Sequence, residues 1–202
     1  MKNKLTLVAV VTIIALMETA ASGQGHFLFR NLDGGGSVRV DAPVFNSVGL
    51  PLEGPQYLAE LFGGAESNSL TPLVLIDSGN ARLIKPFGIR GYVIPIDGGL
   101  LAVPTIPPRG LAWLQLRAWD SRSGATYDEA VLSGMGGYGE SPLFYAQSGD
   151  PFDQFPEPGR LIGLQSFSLL PVVPEPGTGV LVLLGFGCLA ARRWFNRRAH
   201  SP

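Results

Sequence analysis

The sequence predicts an all-β domain, because short apolar runs recur along the chain between clusters of glycine and proline. The 202 residues include 27 glycines and 17 prolines. Short runs with turn signals about every 8 to 12 residues are typical of a β-sandwich or barrel. Residues 23–170 lie between two apolar ends and have the length of one domain. We therefore expect a single sandwich-like domain, of jelly-roll or immunoglobulin-like type, at residues 23–170.

The predicted strands are rich in Val, Ile, Leu, Phe and Tyr and are separated by residues that favour turns. Asp33 precedes three glycines, and Asp97 precedes two. The strands are predicted at residues 26–31, 37–45, 56–62, 73–77, 81–84, 91–96, 110–119, 125–132, 143–146 and 161–169. Residues 56–62 are also compatible with a helix, but glycine and proline flank them, so no helix is expected within the domain.

The clearest predicted strand spans residues 111–119, where side chains alternate between two faces. One apolar set is expected in the core: Ala112, Leu114, Leu116 and Ala118. The other set is Trp113, Gln115, Arg117 and Trp119. On that face Trp113, Arg117 and Trp119 are candidate glycan contacts, because aromatic rings beside polar groups suit sugar rings. The alternative, which we favour, is structural packing with Arg117 stacked on a tryptophan.

No catalytic site is recognised in the domain. His26 is its only histidine, and the domain has no cysteine. A Ser-His-Asp triad would need His26 as its base, yet no Gly-x-Ser-x-Gly segment occurs. A zinc site would have to take all its other ligands from carboxylates. We therefore expect no enzymatic activity, no metal and no cofactor, and we interpret His26 as a polar residue that opens the first strand.

Acidic residues near predicted turns raise two alternatives. A glycosidase needs two positioned carboxyl groups. Candidates flank the long strand and its turn: Asp120, Asp128 and Glu129. A calcium site needs several oxygen ligands, which Asp33, or Asp150 with Asp153, could offer, but no Asp-x-Asp-x-Asp-Gly loop occurs. Acids at turns usually contact solvent or backbone N–H groups, so we favour solvated turns.

The charge of the predicted domain excludes one class of partner. Residues 23–170 carry nine basic and 14 acidic side chains, a net charge of −5. Binding to nucleic acid needs a basic patch, so no nucleic-acid partner is expected. Because the domain has no cysteine, it must fold on its apolar core without disulfides, which a chain of this length can do.

The N-terminus has the anatomy of a secretory signal peptide. Lys2 and Lys4 form a basic region, residues 5–17 form an apolar stretch, and residues 20–22 are small. We expect residues 1–22 to engage the Sec translocon as a signal helix and to be removed by signal peptidase.

A second apolar segment lies near the C-terminus. A linker at residues 171–177 precedes a predicted transmembrane helix at 178–195 and a basic cytoplasmic tail at 196–202. The strictly apolar part, 178–191, spans about 21 Å against a hydrocarbon core of about 30 Å, so its flanks must reach the interfaces.

Positive flanks of membrane segments stay in the cytoplasm. Lys2 and Lys4 precede the first apolar run, and four arginines follow the second: Arg192, Arg193, Arg197 and Arg198. Before processing, both ends are therefore expected to face the cytoplasm, with the domain between them outside.

Residues 173–176, Val-Pro-Glu-Pro, followed by an apolar segment and an arginine cluster, resemble the PEP-CTERM sorting signal of Gram-negative bacteria. The resemblance covers about the last 30 residues. It implies that an exosortase recognises Pro174, Glu175 and Pro176 and removes the tail, so that the domain is released or attached to surface material. Bacteria with such proteins make exopolysaccharide, biofilm or floc, and exopolysaccharide is therefore an expected partner.

Two further segments bear on this resemblance. The upstream Pro-Glu-Pro at 156–158 has no membrane segment after it, and we interpret it as a loop. Residues 57–64 and 114–120 are similar to strands in PEP-CTERM ectodomains of unassigned activity, which implies no function.

These observations predict an exported surface or matrix protein, transiently anchored in the inner membrane, with a structural or adhesive role. Two alternatives stay open. The domain could be a secreted carbohydrate-binding or carbohydrate-active protein, or the tail could be a permanent membrane anchor that is never processed.

Overall fold

The computed structural model describes residues 24–34, 38–75, 81–94, 100–151, 153–154 and 157–172. Within them lie thirteen short strands and one helix. The strands are β1 (His26–Leu28), β2 (Leu32–Asp33), β3 (Val40–Asp41), β4 (Val44–Phe45), β5 (Gly54–Gly64), β6 (Thr71–Pro72), β7 (Val74–Leu75), β8 (Ile84–Phe87), β9 (Leu100–Ala102), β10 (Leu111–Asp120), β11 (Tyr138–Glu140), β12 (Phe144–Gln147) and β13 (Phe167–Ser168). The helix is α1 (Tyr127–Ser133). The predicted all-β class is confirmed.

The predicted signal peptide, residues 1–22, and the predicted transmembrane helix and basic tail, residues 178–202, lie outside the described residues. Among the residues that are described, no helix has the length and apolar character needed to cross a membrane.

The main sheet is built on β5 and β10, the two longest strands. They pair antiparallel over eight residue pairs, from Trp113 opposite Gly64 to Asp120 opposite Tyr57. The second edge of β10 pairs with β11 and β12, and the second edge of β5 pairs with β6 and β8. Both central strands are thus hydrogen-bonded on both edges for much of their length. Strands β5 and β10 include the segments 57–64 and 114–120, which resemble strands of PEP-CTERM ectodomains in sequence.

The apolar set of β10 lies in the core as predicted: Ala112, Leu114, Leu116 and Ala118 are buried. A second sheet, in the order β1–β9–β7, contributes Phe27 and Leu101 to the same cluster. Complete burial of a large apolar side chain stabilises the fold by about 1.5–3 kcal/mol. At Gly63, opposite Leu114, a Cβ would lie 2.7 Å from Leu114 Cδ2 and 2.9 Å from Leu73 Cδ1, so any larger residue would displace these buried leucine side chains. One core therefore joins the two sheets.

Residues 125–132 form most of helix α1 and its N-terminal cap, so the predicted strand there is wrong. Thr126 is the N-cap, and its Oγ1 accepts a hydrogen bond from Glu129 N at 3.2 Å. Glu129 Oε2 in turn accepts from the N–H of Ala125, one residue before the N-cap, at 2.8 Å, so the Thr-x-x-Glu pair satisfies two backbone donors at the start of the helix. Gly134 ends the helix in the left-handed conformation, with φ of 67°. These local caps, rather than the apolar pattern, determine the element.

Several short elements differ from the predicted strands. In the described part of the predicted run 91–96, Val93 forms an isolated bridge with Phe87, and the run 161–169 contains only the two-residue strand β13. Strand β8 begins at Ile84, where a predicted strand was expected to end. Strands β2, β6, β9 and β11 lie outside the predicted runs. Two- and three-residue strands depend on the neighbour that they pair with, which composition does not reveal.

Asn31 joins three distant segments inside the domain. Its side chain is completely buried. Asn31 Nδ2 donates to Ala42 O and to Gly91 O, both at 2.9 Å, and Asn31 Oδ1 accepts from Val93 N at 2.9 Å. This one amide satisfies Val93 N and Ala42 O, and it adds a second bond to Gly91 O, which also accepts from Val44 N at 3.0 Å. A polar side chain is tolerated there for this reason.

Lys85, on β8, is a charged residue on the core side of the main sheet. It is 1% exposed, and its Nζ donates to Phe29 O at 3.0 Å and lies 5.0 Å from the Phe29 ring centroid. Burial, reinforced by the positive charge of Arg30, lowers the pKa of Lys85 to about 8. The ammonium group is therefore held in the native state at a free-energy cost.

We expect Asn31→Ala to lower the free energy of unfolding by about 2–4 kcal/mol, because it removes three buried hydrogen bonds and leaves Val93 N and Ala42 O without their partner. Urea denaturation of the purified protein measures this loss. The matched control is Asn46→Ala. Asn46 Oδ1 accepts from Val48 N and Leu50 N in an exposed turn, where water can replace it, so a loss of about 1 kcal/mol or less is expected. Equal losses in the two variants would contradict the role of Asn31.

We expect Lys85→Met to change how stability depends on pH. The folded-state pKa of Lys85, about 8, lies below the ordinary value of 10.5, so between these values the unfolded chain binds more protons. The stability of the wild type should therefore rise with pH across this window, by up to about 1.4 kcal/mol per pH unit, and Lys85→Met should lose this rise.

The measurement is the difference in unfolding free energy between wild type and Lys85→Met at pH 7, 8, 9 and 10, in which the titration of all other groups cancels. A difference that stays constant over this range would show that Lys85 titrates normally.

Candidate functional site

The predicted sorting residues Pro174, Glu175 and Pro176 lie outside the described residues, and so do the four arginines Arg192, Arg193, Arg197 and Arg198. The structure does describe where the chain leaves the domain. Leu170 N donates to Tyr138 O at 2.8 Å, and Leu170 O accepts from Gly137 N at 3.0 Å. Two residues later, Val172 is exposed. The tail therefore begins beside β11, directly after the last backbone pairing.

The face of the main sheet that points away from the core, with Trp113, Gln115, Arg117 and Trp119 of β10, is called the outer face here. Helix α1 covers one end of it. Trp119, Tyr127 and Ala130 form a small buried cluster, against which Leu58, Ile84 and Tyr138 pack. Trp119 is completely buried, and its Nε1 donates to Gly124 O at 3.1 Å. Its ring has no face open to a ligand. The prediction of Trp119 as a glycan contact is therefore wrong, because the missed helix covers it.

Arg117 lies beside this cluster and packs against aromatic rings. Its guanidinium carbon is 4.0 Å from the Phe62 ring centroid and 5.1 Å from that of Tyr127. Arg117 Nε donates to Gln115 Oε1 at 3.0 Å and lies 3.6 Å from Glu140 Oε2. The alternative of structural stacking thus describes Arg117 better than a glycan contact does, although the rings belong to Phe and Tyr rather than Trp.

Tyr127 is linked to the same charges. Burial, followed by the nearby charge of Glu140, raises the pKa of the Tyr127 hydroxyl above its ordinary value. The hydroxyl therefore stays protonated and donates to Glu140 Oε2 at 3.3 Å. Charge and aromatic packing together fix this end of the outer face.

Sequence reasoning missed the buried acid of this face, Glu60. It lies on β5 opposite Arg117 and is completely buried. Arg82 Nε and Nη2 donate to its two carboxylate oxygens at 2.6 and 2.5 Å, a bidentate pair. The available signal was a single acid in the apolar strand Leu-Ala-Glu-Leu-Phe, which indicates a cationic partner from elsewhere in the chain.

The other end of the outer face carries an aromatic pair, which we call the aromatic patch: the half-buried Trp113 and the exposed Tyr145. The two residues are directly opposite each other on β10 and β12, with ring centroids 4.7 Å apart and planes inclined by 56°. Tyr145 is 48% exposed, and its neighbours on this face, Leu111 and Leu143, are also exposed. Of the three candidate glycan contacts, Trp113 alone lies in this patch.

Two of the acids considered for glycoside hydrolysis have structural partners. Asp120 is buried and accepts hydrogen bonds from the backbone and guanidinium of Arg122. Burial would raise the pKa of Asp120, but the hydrogen bonds and charge of Arg122 outweigh burial and lower it. Glu129 closes the helix cap, and Asp128 lies exposed in the first turn of α1. The low pKa of Asp120 suits an ion pair and not a general acid.

The acids considered for calcium contact arginines. Asp33 Oδ2 accepts from Arg160 Nε at 2.5 Å. Asp150 and Asp153 both pair with Arg109, whose Nε is 3.4 Å from Asp150 Oδ2. Arg109, Asp150 and Asp153 line a cleft of about 410 Å³, together with Gln147 and Glu157. In the described part of the chain, no group of three or more His, Cys, Asp or Glu side chains could hold a metal ion.

His26 opens β1, as predicted, and is buried rather than exposed at a chain end. Burial lowers the pKa of His26, while the charge of Asp150 opposes that shift. His26 Nδ1 is buried without a hydrogen-bond partner among the described residues. The nearby hydroxyl of Ser148 donates to Pro107 O at 3.0 Å instead. The arrangement is not that of a nucleophile activated by a histidine base.

The similarity of this chain to known proteins lies in its C-terminal tail. No curated protein matches the chain, and no solved structure matches it. One family matches, described as the PEP-CTERM protein-sorting motif, over residues 172–198. The match begins at Val172, where the described domain ends, and contains the Pro-Glu-Pro and all four arginines. The C-terminal tail of this chain is therefore a PEP-CTERM protein-sorting signal, the mark of an exported protein that an exosortase sorts.

Proposed function

We propose that this protein is a structural or adhesive component of the bacterial cell surface or extracellular matrix, and not an enzyme. The observation that carries the proposal is the sorting motif at 172–198, which follows the folded domain without a gap. In this proposal residues 1–22 direct export, residues 178–195 hold the chain in the membrane for a time, and the exosortase acts near Glu175.

The character of the domain supports a non-enzymatic role. The candidate acids Asp120 and Glu129 have structural partners, and His26 Nδ1 has no hydrogen-bond partner among the described residues. We also propose that the two sheets sharing one core are the layers of a β-sandwich, whose outer surface meets exopolysaccharide in a biofilm or similar matrix. The runner-up is a permanently anchored protein whose tail is never removed.

A second candidate function, carbohydrate binding, is favoured by the aromatic patch. Trp113 and Tyr145 present adjacent rings on the end of the outer face that α1 leaves uncovered. Aromatic faces beside exposed side chains such as Gln147 suit pyranose rings, which are apolar on one face and polar at the rim. The patch replaces the longer platform predicted from Trp113 to Trp119.

We expect tail processing to depend on Glu175. Intact-mass measurement of the protein from its native host should show wild type ending near residues 174–177, whereas Glu175→Ala should retain residues up to 202, because the recognition motif is broken. The chain provides its own control. Glu157 lies in the upstream Pro-Glu-Pro, so Glu157→Ala should be processed like wild type.

Two results would contradict the expectation that tail processing depends on Glu175. Retention of residues 180–202 in the wild type as well would make the tail a permanent anchor. Processing of Glu175→Ala at the wild-type position would show that another feature of the tail is recognised.

We expect Trp113→Ala and Tyr145→Ala to weaken retardation of the protein in gels that contain the exopolysaccharide of its host. Loss of one stacking ring should weaken binding by up to about tenfold, since stacking contacts contribute roughly 0.5–1.5 kcal/mol. Leu132→Ala, which removes an exposed apolar side chain on α1, should migrate like wild type. Equal retardation of all four proteins would exclude the aromatic patch as the glycan site.

A further inference from the structure

A cavity of about 400 Å³ lies between the segment that follows β1 and the segment that follows β8. Its walls include Arg30 and Leu32 on one side and Ile89, Arg90 and Ile94 on the other. Asn31 fixes both sides, through its bonds to Gly91 O and Val93 N at 2.9 Å. The volume is within the usual range of small-molecule sites. The cavity is therefore held open by a buried interaction of the fold.

The charges of this cavity have one sign. Arg30 and Arg90 line it, and none of the other described lining residues is acidic. Lys85 is close enough for the charge of Arg30 to act on its pKa. The hydroxyl of Tyr92, another lining residue, donates to Asp41 at 2.7 Å, and Asp41 also pairs with Arg39 at 3.1 Å. In a domain of net negative charge, this is a local excess of positive charge.

Arg30 has an unsatisfied donor. Its Nε is buried and has no hydrogen-bond partner among the described residues. A buried donor on a charged group is destabilising unless an acceptor reaches it. Anionic oxygens match a guanidinium in charge and geometry, so a ligand with such oxygens would pair with the Arg30 guanidinium where it lines the cavity.

The rest of the wall is apolar and open to solvent. Leu32 and Ile94 are each 40% exposed, and Ile89 is 64% exposed. Large apolar side chains that remain exposed around one cavity mark a surface that an apolar body can cover.

We propose that this cavity binds an alkyl carboxylate, a fatty-acid anion encountered outside the cell. The carboxylate contacts Arg30 and Arg90, and the alkyl chain covers Leu32, Ile89 and Ile94. A neutral sugar would leave the arginines unpaired, and an ion without an apolar body would leave the wall exposed. This site is separate from the sorting tail and from the aromatic patch.

The test is photolabelling of the full-length protein in neutral detergent with a ten-carbon carboxylate that carries a diazirine on its chain. Labelled peptides should contain Leu32, Ile89 or Ile94, and unlabelled decanoate should suppress the labelling while decanol should not. Arg30→Gln and Arg90→Gln should each weaken labelling by about tenfold or more, because each loses a charge-assisted contact. Arg109→Gln removes a charge from a different cleft and should label like wild type.

A second variant guards against misfolding as the cause of lost labelling. Ile89→Asp places a carboxylate at the exposed rim, so it should abolish labelling while leaving the circular dichroism spectrum and the melting temperature unchanged. Labelling at other sites, equal labelling by the matched alcohol probe, or full labelling of Arg30→Gln would each overturn the proposal. So would displacement of the probe by anionic lipid vesicles but not by monomeric decanoate, which would identify a membrane surface instead.

Discussion

The pairing of β5 with β10 is the contact on which the rest of the domain depends. Its eight residue pairs run through the middle of the main sheet, and each strand also has short strands on its other edge. The side chains pointing to one side enter the common core, and those pointing to the other side form the outer face. A domain without disulfides requires such a central pair, because burial and hydrogen bonding alone must offset the entropy of ordering the chain.

The outer face is divided by α1. On the covered end, Trp119 is buried and Arg117 is packed between the rings of Phe62 and Tyr127. On the uncovered end, Trp113 and Tyr145 remain accessible. One seven-residue helix thus decides which aromatic side chains of the same strand serve stability and which can meet a ligand. The charged pair Glu60–Arg82 belongs to the covered end, where a lone carboxylate would be strongly destabilising.

Sequence reasoning succeeded where the determining signal is local in the chain. The alternation in 111–119 located β10 and its core face, and the order of motif, apolar segment and arginines identified the tail. It failed at α1 although the signal was local, because the apolar run was weighed and the Thr-x-x-Glu cap was not. It could not place Asn31 or Lys85, since their partners, Gly91 and Phe29, lie 60 and 56 residues away. Buried polar residues are specified by tertiary contacts that no short window contains.

The backbone bonds at the end of the domain have a mechanical meaning. Leu169 N bonds to Phe45 O at 2.9 Å, and Leu170 bonds through both of its backbone groups to the segment 137–138 beside β11. A pulling force on the C-terminus is therefore carried by two sets of hydrogen bonds at the same time. One set joins the last residues to β4, and the other joins them to the edge of the main sheet. A single row of bonds can be opened one at a time, whereas a load divided between two rows must break them together. A protein held to a surface by this end would resist detachment forces best when they act along the last strand.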